Sequence, residues 1–281
     1  MRSRTPASRS PVASAATSLK SVMLRLMPDA LLQPLKRVRY LNAVRSFWSR
    51  EADVMVALVG AGDNVLDIGA HAGWYTRVLS KAVGSHGFVH SFEPIPSTFS
   101  LLSFCVRHLR LRNVSLYNCA ASRVNGTAMM TVPLYPAGGE NFYQASLLTE
   151  SDGSRPLRQF SVELRTVDSV LPASPCPITF IKCDVEGHEA EALEGAAQTI
   201  ERDRPALCVE VTGDPDAAGS PSHGIVSSLA RWGYEPYWLD DGRLIRRRPG
   251  DRSVNYFFLT EIHRSRLRAR GLLPANDRSR G

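Results

Sequence analysis

Short apolar runs alternate with amphipathic segments through the middle of the chain. The runs are four to six residues long, and helical periodicity fills most of the gaps between them. Runs of this length predict buried strands, and their alternation with helices predicts a mostly parallel sheet. The predicted strands are Val65–Ile68, Phe88–Phe92, Val114–Cys119, Ile178–Cys183 and Ala206–Val211. The fold class that follows is α/β, with a Rossmann-like, doubly wound sheet.

Two antiparallel features interrupt this alternation. Asn125-Gly126 is a strong hairpin signal, and it predicts a strand over Thr127–Leu134 that returns as Phe160–Arg165 after a loop. Near the end of the chain, strands close to Glu235–Trp238 and Tyr256–Thr260 follow, with a turn at residues 240–242 between them. These last strands predict an antiparallel hairpin at one edge, and they bring the expected sheet to seven strands.

The helical pattern divides the rest of the chain. Pro28 and Pro34 break the periodicity between Leu19 and Leu41 into short helices, and Leu41–Val59 forms a longer predicted helix. Further helices are expected over 73–83, 96–109, 189–202 and 223–232. We expect a disordered basic leader (1–20), a helical extension (21–59), one α/β domain (60–261, with a 127–165 hairpin insertion) and a basic tail (262–281).

Charge is distributed unevenly along the 281 residues. The net charge is +7, yet residues 1–50 carry ten Arg and Lys against one Asp, and residues 261–281 carry six Arg against two acids. The central domain is therefore acidic. Basic arms can bind nucleic acid or anionic membranes, although solvated termini are the simpler interpretation. We expect no nucleic-acid partner.

Hydropathy and cysteine spacing restrict the class of protein further. No apolar run approaches the roughly 20 residues that cross a bilayer, so we expect no transmembrane segment. The first 20 residues lack the apolar stretch of a secretory signal. Five scattered cysteines without a C-x-x-C pair argue against disulfides and zinc, and favour a reducing cytoplasm.

Polar residues follow directly after one predicted strand. The run Ile178–Cys183 ends in Asp184, and Glu186 and His188 come two and four residues later. Ligands of open α/β sheets bind at the carboxyl ends of the strands. This cluster is therefore expected to take part in the chemistry.

A glycine turn follows the first strand. Gly69 and Gly73 frame the turn, and the helix that begins there directs free N–H groups toward a ligand. Glu93 ends the next strand, at the spacing of an acid that hydrogen-bonds a ribose hydroxyl. The segment predicts a site for a nucleoside-containing cofactor.

These motifs resemble those of class I S-adenosylmethionine-dependent methyltransferases and, more narrowly, of the FkbM family. The matching segments are residues 66–73 (LDIGAHAG), 92–94 (FEP), 166–170 (TVDSV), 181–189 (IKCDVEGHE) and 193–196 (LEGA). The resemblance covers roughly residues 60–240. His71 departs from it, because this family usually has Asn there, and the loop 136–156 matches no part of it.

The resemblance implies S-adenosylmethionine as the cofactor. Asp67 would anchor the turn and the ammonium of the methionine moiety, Glu93 would bind the ribose hydroxyls, and adenine would lie near Ala120. Asp184 would lie beside the transferable methyl. The implied cofactor-binding residues are Asp67, Gly69, Ala70, His71, Gly73, Glu93, Ala120 and Asp184.

The candidate catalytic residues are Asp184, Glu186 and His188. Transfer to a hydroxyl needs a positioned nucleophile and a proton acceptor. His188 or Glu186 can accept the proton, or positioning alone can suffice, and helix capping is a structural alternative for both. Asp184 and Glu210 end neighbouring strands and would suit Mg²⁺, but without a third ligand we expect no metal.

Two surface features have open interpretations. Asn141–Gln144 could close over the site as a lid, or it could be part of an ordinary loop. Arg243 and Arg246–Arg248 could contact an acidic substrate, although a solvated hairpin face is the simpler interpretation.

The predicted function is O-methylation of a hydroxyl on a sugar, glycolipid or polyketide-like metabolite by a cytoplasmic methyltransferase. The expected partner is a small-molecule or a glycan- or lipid-linked acceptor. Two alternatives stay open. One is a nucleotide-dependent oxidoreductase, whose turn would normally have glycine where His71 stands. The other is a non-catalytic scaffold that binds nucleic acid through its basic termini.

Overall fold

The computed structural model describes residues 29–133, 157–171 and 176–274. The N-terminal leader, the whole 136–156 loop with its Asn141–Gln144 segment, and the last residues of the tail lie outside these ranges. In the described part, no helix is both long enough and apolar enough to cross a membrane.

The helices lie on both sides of one large sheet and carry the following bounds. They are α1 (Asp29–Ser46), α2 (Arg50–Leu58), α3 (Trp74–Val83), α4 (Pro96–His108), α5 (Val167–Val170), α6 (Glu189–Glu194), α7 (Ala197–Asp203), α8 (Pro221–Arg231) and α9 (Glu261–Ala269).

The strands form two sheets. They are β1 (Asn64–Ile68), β2 (Phe88–Phe92), β3 (Val114–Tyr117), β4 (Ala120–Ala121), β5 (Gly126–Pro133), β6 (Leu157–Arg165), β7 (Ile178–Cys183), β8 (Ala206–Glu210), β9 (Glu235–Asp240), β10 (Arg243–Arg246) and β11 (Asn255–Leu259). The large sheet has the order β10-β9-β11-β8-β7-β1-β2-β3, and β4, β6 and β5 form the small one. The five adjacent strands β8, β7, β1, β2 and β3 are parallel, which confirms the predicted α/β fold class.

Alternate residues of the central strands pack into two cores on opposite faces of the sheet. Leu66 and Ile181 face α6, α7 and α8, whereas Val65 and Phe180 face α2, α3 and α9. Strands buried on both faces have continuous apolar sequences, which explains why the runs were recognisable. All five parallel strands therefore end at one edge of the sheet, where the site lies.

The predicted seven-stranded sheet is wrong by one strand. The turn at residues 240–242 leads into β10, which pairs only with β9 among the described strands, while β11 inserts between β9 and β8. β10 is an edge strand with two exposed arginines, Arg243 and Arg246, so it lacks the apolar signature of a buried strand.

Several predicted element bounds also change. Pro34 lies inside α1, near its start, where the missing N–H removes a single helical bond. The helix predicted over Leu41–Val59 is two helices, because the Ser49 side chain caps α2 by accepting a bond from the Ala52 amide. The helix predicted over 189–202 divides at Gly195. Part of the predicted tail forms α9.

Candidate active site

The turn between β1 and α3 lies against the end of β7. Gly69 has a φ of 85°, and a Cβ atom there would lie 1.8 Å from the Asp184 carbonyl oxygen. Only glycine fits both the left-handed backbone and this contact. The Gly69 and Ala70 amides donate to the Phe92 carbonyl oxygen, which ties the turn to β2. Gly73 is the N-cap residue of α3.

Asp67 is buried at the end of β1 beneath this turn. Its Oδ2 accepts a 2.5 Å hydrogen bond from Thr76 Oγ1, which also lies 3.1 Å from Ser91 Oγ. Its Oδ1 is buried and has no hydrogen-bond partner among the described residues. Burial raises the pKa of Asp67 despite the opposing charge of Lys182. An unsatisfied buried carboxylate oxygen is costly, but Asp67 lines neither cavity at this edge of the sheet, so its contact with a ligand ammonium stays a prediction.

Glu93 joins the glycine turn to the chain that follows β2. Its Oε2 accepts from the His71 amide and its Oε1 from the Ile95 amide, both at 3.0 Å. Each carboxylate oxygen keeps a second acceptor position, which suits the two hydroxyls of a ribose. Burial raises the pKa of Glu93 to about 7.

His71 belongs to an aromatic stack beside the turn. Its ring lies parallel to Trp74, with centroids 5.0 Å apart, and 6.2 Å from the ring of Tyr40 on α1. Burial lowers the pKa of His71 to about 4, so the neutral imidazole predominates near pH 7. The side chain thus contributes a flat, uncharged wall to the cavity.

Lys182 lies inside β7 two residues before Asp184, on the same side of the strand. It is buried, with Nζ 2.6 Å from Asp184 Oδ2 and 4.6 Å from the centre of the Tyr75 ring. Burial opposes the charge, but Asp184 and Asp67 together raise the pKa of Lys182 above its ordinary value. Sequence reasoning missed Lys182 and Tyr75, although a lysine inside an apolar strand was the available signal.

Three carboxyl groups meet beside this ammonium. Carboxylate oxygens of Asp184, Glu186 and Glu210 all lie within 4.8 Å of one another. Burial alone would raise the pKa of Asp184, but Lys182 and a hydrogen bond with Glu210 hold it below its ordinary value. Burial and the Asp184 charge raise the pKa of Glu210 to about 8. The premise that a third ligand is missing is wrong, because Glu186 joins Asp184 and Glu210, and the absence of a bound metal stays a prediction.

Glu186 and His188 point to different parts of the site. Glu186 has a φ of 56° and lines a cavity of about 130 Å³ at the carboxyl edge of the sheet. Burial and the Asp184 charge raise the pKa of Glu186 to about 7. His188 lies 3.1 Å from Ser122 Oγ through Nε2 and 3.5 Å from Glu191 Oε2 through Nδ1. Burial lowers the pKa of His188. Buried Glu189 holds the loop between them by accepting bonds from the Val185 and Gly187 amides.

Two cavities open along the carboxyl edge of the sheet. The larger, of about 130 Å³, is lined by Gly69, His71, Trp74, Tyr75, Glu93, Asp184 and Glu186 among others. The smaller, of about 20 Å³, is mostly apolar and includes Phe92, Cys119, Ala120, Met130 and His188. Gly69, Pro94 and Val185 border both. A polar cleft beside an apolar pocket has the chemistry expected for an amino acid and ribose joined to a flat base, but at about 20 Å³ the apolar pocket has room for little more than a water molecule.

Two further motifs serve the packing around the site. Asp168 accepts bonds from the Gln198 and Thr199 amides at the start of α7. A Cβ atom on Gly195 would lie 1.9 Å from the Ser122 carbonyl oxygen, so glycine lets α6 approach β4 closely. These contacts position Ser122, the partner of His188. The TVDSV and LEGA segments are therefore structural supports.

The sequence model of the FkbM methyltransferase domain matches residues 67–236, which is more than half of the chain. The chain belongs to the FkbM methyltransferase family. Its cofactor is S-adenosylmethionine, and the Glu93 carboxylate in the larger cavity is chemically suited to the ribose hydroxyls of that molecule.

Solved structures similar to this FkbM methyltransferase are distant. An FkbM methyltransferase from Methylobacillus flagellatus is 18% identical with a TM-score of 0.45, over 72% of this chain and 45% of that one. A putative methyltransferase from Streptococcus mutans, solved with SAH, is 11% identical with a TM-score of 0.41, over 74% and 96%. The chain thus spans under half of the M. flagellatus protein. No curated protein matches it.

The structure brings the predicted residues of this FkbM methyltransferase together in one region. Gly69, His71, Glu93 and Asp184 line the larger cavity, Ala120 lines the smaller one, and Asp67 lies beneath the turn. The Gly69 and Ala70 amides are already bonded to Phe92, so they support the turn. The roles of all these predicted residues in cofactor binding stay predictions. The catalytic roles of Asp184, Glu186 and His188 stay predictions as well.

Proposed function

We propose that the protein transfers the methyl group of S-adenosylmethionine to a hydroxyl oxygen of a sugar, glycolipid or polyketide-like metabolite. The observation that carries this proposal is the group of carboxyls at the end of β7, where Asp184 and Glu186 line the same cavity as Glu93. A hydroxyl nucleophile needs a nearby proton acceptor, and these carboxyls supply candidates in the cavity that Glu93 also lines.

When bound, the cofactor supplies a methyl carbon activated by a sulfonium centre. Asp67 and Glu93 would hold its ammonium and ribose, while His71 and Trp74 would exclude water from one wall of the cleft. The methyl group would pass from sulfur to the acceptor oxygen, and a carboxylate of the site would accept the hydroxyl proton, so charge and atoms would balance.

Glu186 is the carboxylate best suited to accept this proton. Its pKa of about 7 lies near neutral pH, where a general base is most effective. Asp184 is held ionised by Lys182, and Glu210 is hydrogen-bonded to Asp184. His188 faces the smaller cavity and is engaged with Ser122 and Glu191, so we assign it a supporting role.

The test uses S-adenosylmethionine labelled with ¹³C on its methyl group. The protein is incubated with panels of free sugars, glycolipids and polyketide-like alcohols, and each product is assigned by NMR. An O-methyl product supports the proposal. Label on nitrogen, carbon or sulfur in the best acceptor would overturn O-methylation while leaving the methyltransferase family intact. Calorimetry with S-adenosylhomocysteine, for wild type and Asp67→Asn, checks the cofactor site separately.

The two alternatives lack comparable support. An oxidoreductase conflicts with membership of a methyltransferase family. A nucleic-acid scaffold would rest on the termini, much of which lie outside the described residues. The cytoplasmic location stays a prediction.

A further inference from the structure

The outward face of α1 mixes aliphatic and cationic side chains. Leu35 is 55% exposed and Val38 is 52% exposed, although both are aliphatic. Lys36 lies between Leu35 and Val38 in the sequence, Arg39 follows Val38, and both cationic residues are exposed. Leu35 and Val38 are three residues apart, as are Lys36 and Arg39, so each pair lies on neighbouring turns of one helix face. We call this set of four residues the α1 patch.

The opposite face of α1 already holds the helix on the domain. Tyr40, Leu41 and Val44 pack with Cys105 and other residues of α3 and α4. Arg37 lies over the Phe104 ring of α4 and donates to Ser100. Attachment of the helix therefore does not need the α1 patch, and its exposed apolar area is left unexplained by the fold.

Charge and aromatic content continue this surface beyond the patch. Residues 29–50 contain five Lys and Arg against one Asp. In the part of the chain that the structure describes, Lys36, Arg39 and Arg45 form no ion pair. Trp48, in the connector after α1, is 54% exposed, and its Nε1 donates to Asp53 at 2.8 Å. The α1 helix thus presents net positive charge and aliphatic groups, and the connector that follows it adds an exposed indole.

We propose that the α1 patch and Trp48 bind the surface of an anionic lipid bilayer. Lys and Arg near such a surface each gain attraction to acidic headgroups, and this attraction adds up over several cations. Leu and Val side chains are stabilised when they leave water, and Trp prefers the membrane–water interface. Nucleic acid would engage the same cations but would give no advantage to exposed Leu35 and Val38.

The position of α1 gives this surface a relationship to the site. The Tyr40 ring lies 6.2 Å from His71, which lines the larger cavity. Because Tyr40 lies on the domain-facing side of α1, a bilayer bound to the α1 patch would be separated from this cavity wall by the thickness of the helix, about 10 Å. The matched family domain begins at residue 67, so α1 is an addition to it. The proposal does not depend on O-methylation, because lipid binding is measured without methyl transfer.

The test is flotation of the full chain with vesicles of phosphatidylcholine, with and without 30% phosphatidylglycerol. We expect binding to the anionic vesicles that weakens at high salt, and a blue shift of tryptophan fluorescence that is lost in Trp48→Phe. Lys36→Glu combined with Arg39→Glu should weaken binding at least tenfold. Leu35→Ser with Val38→Ser should weaken it several-fold, and all variants should keep wild-type circular dichroism.

The matched control is Arg123→Glu with Arg231→Glu, which reverses two exposed charges beside α6 and on α8, on the face of the sheet opposite α2 and α3. It should bind vesicles within about twofold of wild type, while equal weakening would overturn the proposal. No flotation with anionic vesicles, or binding unchanged by the Leu35 and Val38 substitutions, would also overturn it. Tighter binding of a labelled DNA duplex through the same cations would assign the patch to nucleic acid instead.

Discussion

The Lys182 ammonium lies 2.6 Å from Asp184 Oδ2, and the Lys182 side chain is only 3% exposed. This pair sits at the end of β7, next to the central strand β1. Its position lets one buried cation balance Asp184 while Glu210 hydrogen-bonds to the same carboxylate. The Lys182 ammonium thus interacts with Asp67 beneath the glycine turn and with Asp184 in the acidic cluster.

Removing the cation should therefore be costly. Lys182→Met keeps most of the side-chain volume but leaves Asp184 partly buried without its counter-charge. We expect a loss of about 3 kcal/mol in the free energy of unfolding, measured by urea denaturation at pH 7. Arg123→Met is the control, because its 4.0 Å pair with Glu194 is exposed and should contribute less than about 1 kcal/mol. Equal losses would contradict the assigned role of Lys182.

Glu210 should make stability depend on pH. Its folded pKa is about 8 against an ordinary 4.5, so the folded state binds the proton more tightly. The contribution is complete below pH 4.5 and is lost as pH rises through 8. Glu210→Gln mimics the protonated form, so the variant should match wild type at pH 4.5. At pH 9 it should be more stable by roughly 1–2 kcal/mol, reduced because the group is partly exposed. Denaturant unfolding at both pH values measures this, and a variant less stable at pH 9 would contradict it.

Two glycines with similar backbones separate strain from steric conflict. Gly69→Ala places a Cβ atom 1.8 Å from the Asp184 carbonyl oxygen, whereas Gly62 has a φ of 92° and no neighbour within 4 Å. Gly62→Ala should cost about 1–2 kcal/mol through its left-handed backbone alone. Gly69→Ala should cost at least about 2 kcal/mol more and abolish S-adenosylhomocysteine binding. Similar losses in both variants would show that β1 and β7 can separate at this point.

The sequence was most informative where burial on both faces produced continuous apolar strands. Each of the five parallel strands was located within two residues, because short apolar runs bounded by turns are typical of strands buried on both faces. β10 was not predicted, because an exposed edge strand needs no apolar pattern. The split at Gly195 escaped notice because it depends on a contact with Ser122 that is 73 residues away in sequence.

The sequence predicted several residues that lie at the site, but it predicted fewer of the contacts that these residues make. Asp67, Glu93 and Asp184 were placed at strand ends, and parallel topology alone brings strand ends together. Lys182 was not recognised, because its role depends on burial beneath Tyr75 rather than on position in a motif. The separation of Glu186 from His188 into different cavities depends on the positive φ of Glu186, which no spacing rule predicts.

Glu93 should affect cofactor affinity, and Asp168 offers a close control. Both carboxylates accept bonds from two backbone amides, but only Glu93 lines a cavity of the site. Glu93→Gln should weaken S-adenosylhomocysteine binding about 10- to 100-fold, because charge-assisted bonds are lost. Asp168→Asn should leave the affinity within about twofold while lowering stability. Calorimetry and thermal unfolding give the two readouts, and equal affinity losses would point to a general loss of structure.

The proton acceptor can be identified by comparing Glu186→Gln with His188→Gln. If Glu186 accepts the proton, its substitution should lower the methyl-transfer rate about 10²- to 10⁴-fold, with S-adenosylhomocysteine affinity nearly unchanged. The wild-type rate should fall below pH 7, where Glu186 becomes protonated, and the residual rate of the variant should lack this dependence. His188→Gln should change the rate less than tenfold and lower stability by about 1 kcal/mol, since bonds to Ser122 and Glu191 are lost. Single-turnover rates on the best ¹³C-labelled acceptor measure both effects. The reverse ranking would assign the proton to His188, and two small effects would mean that positioning alone drives the transfer.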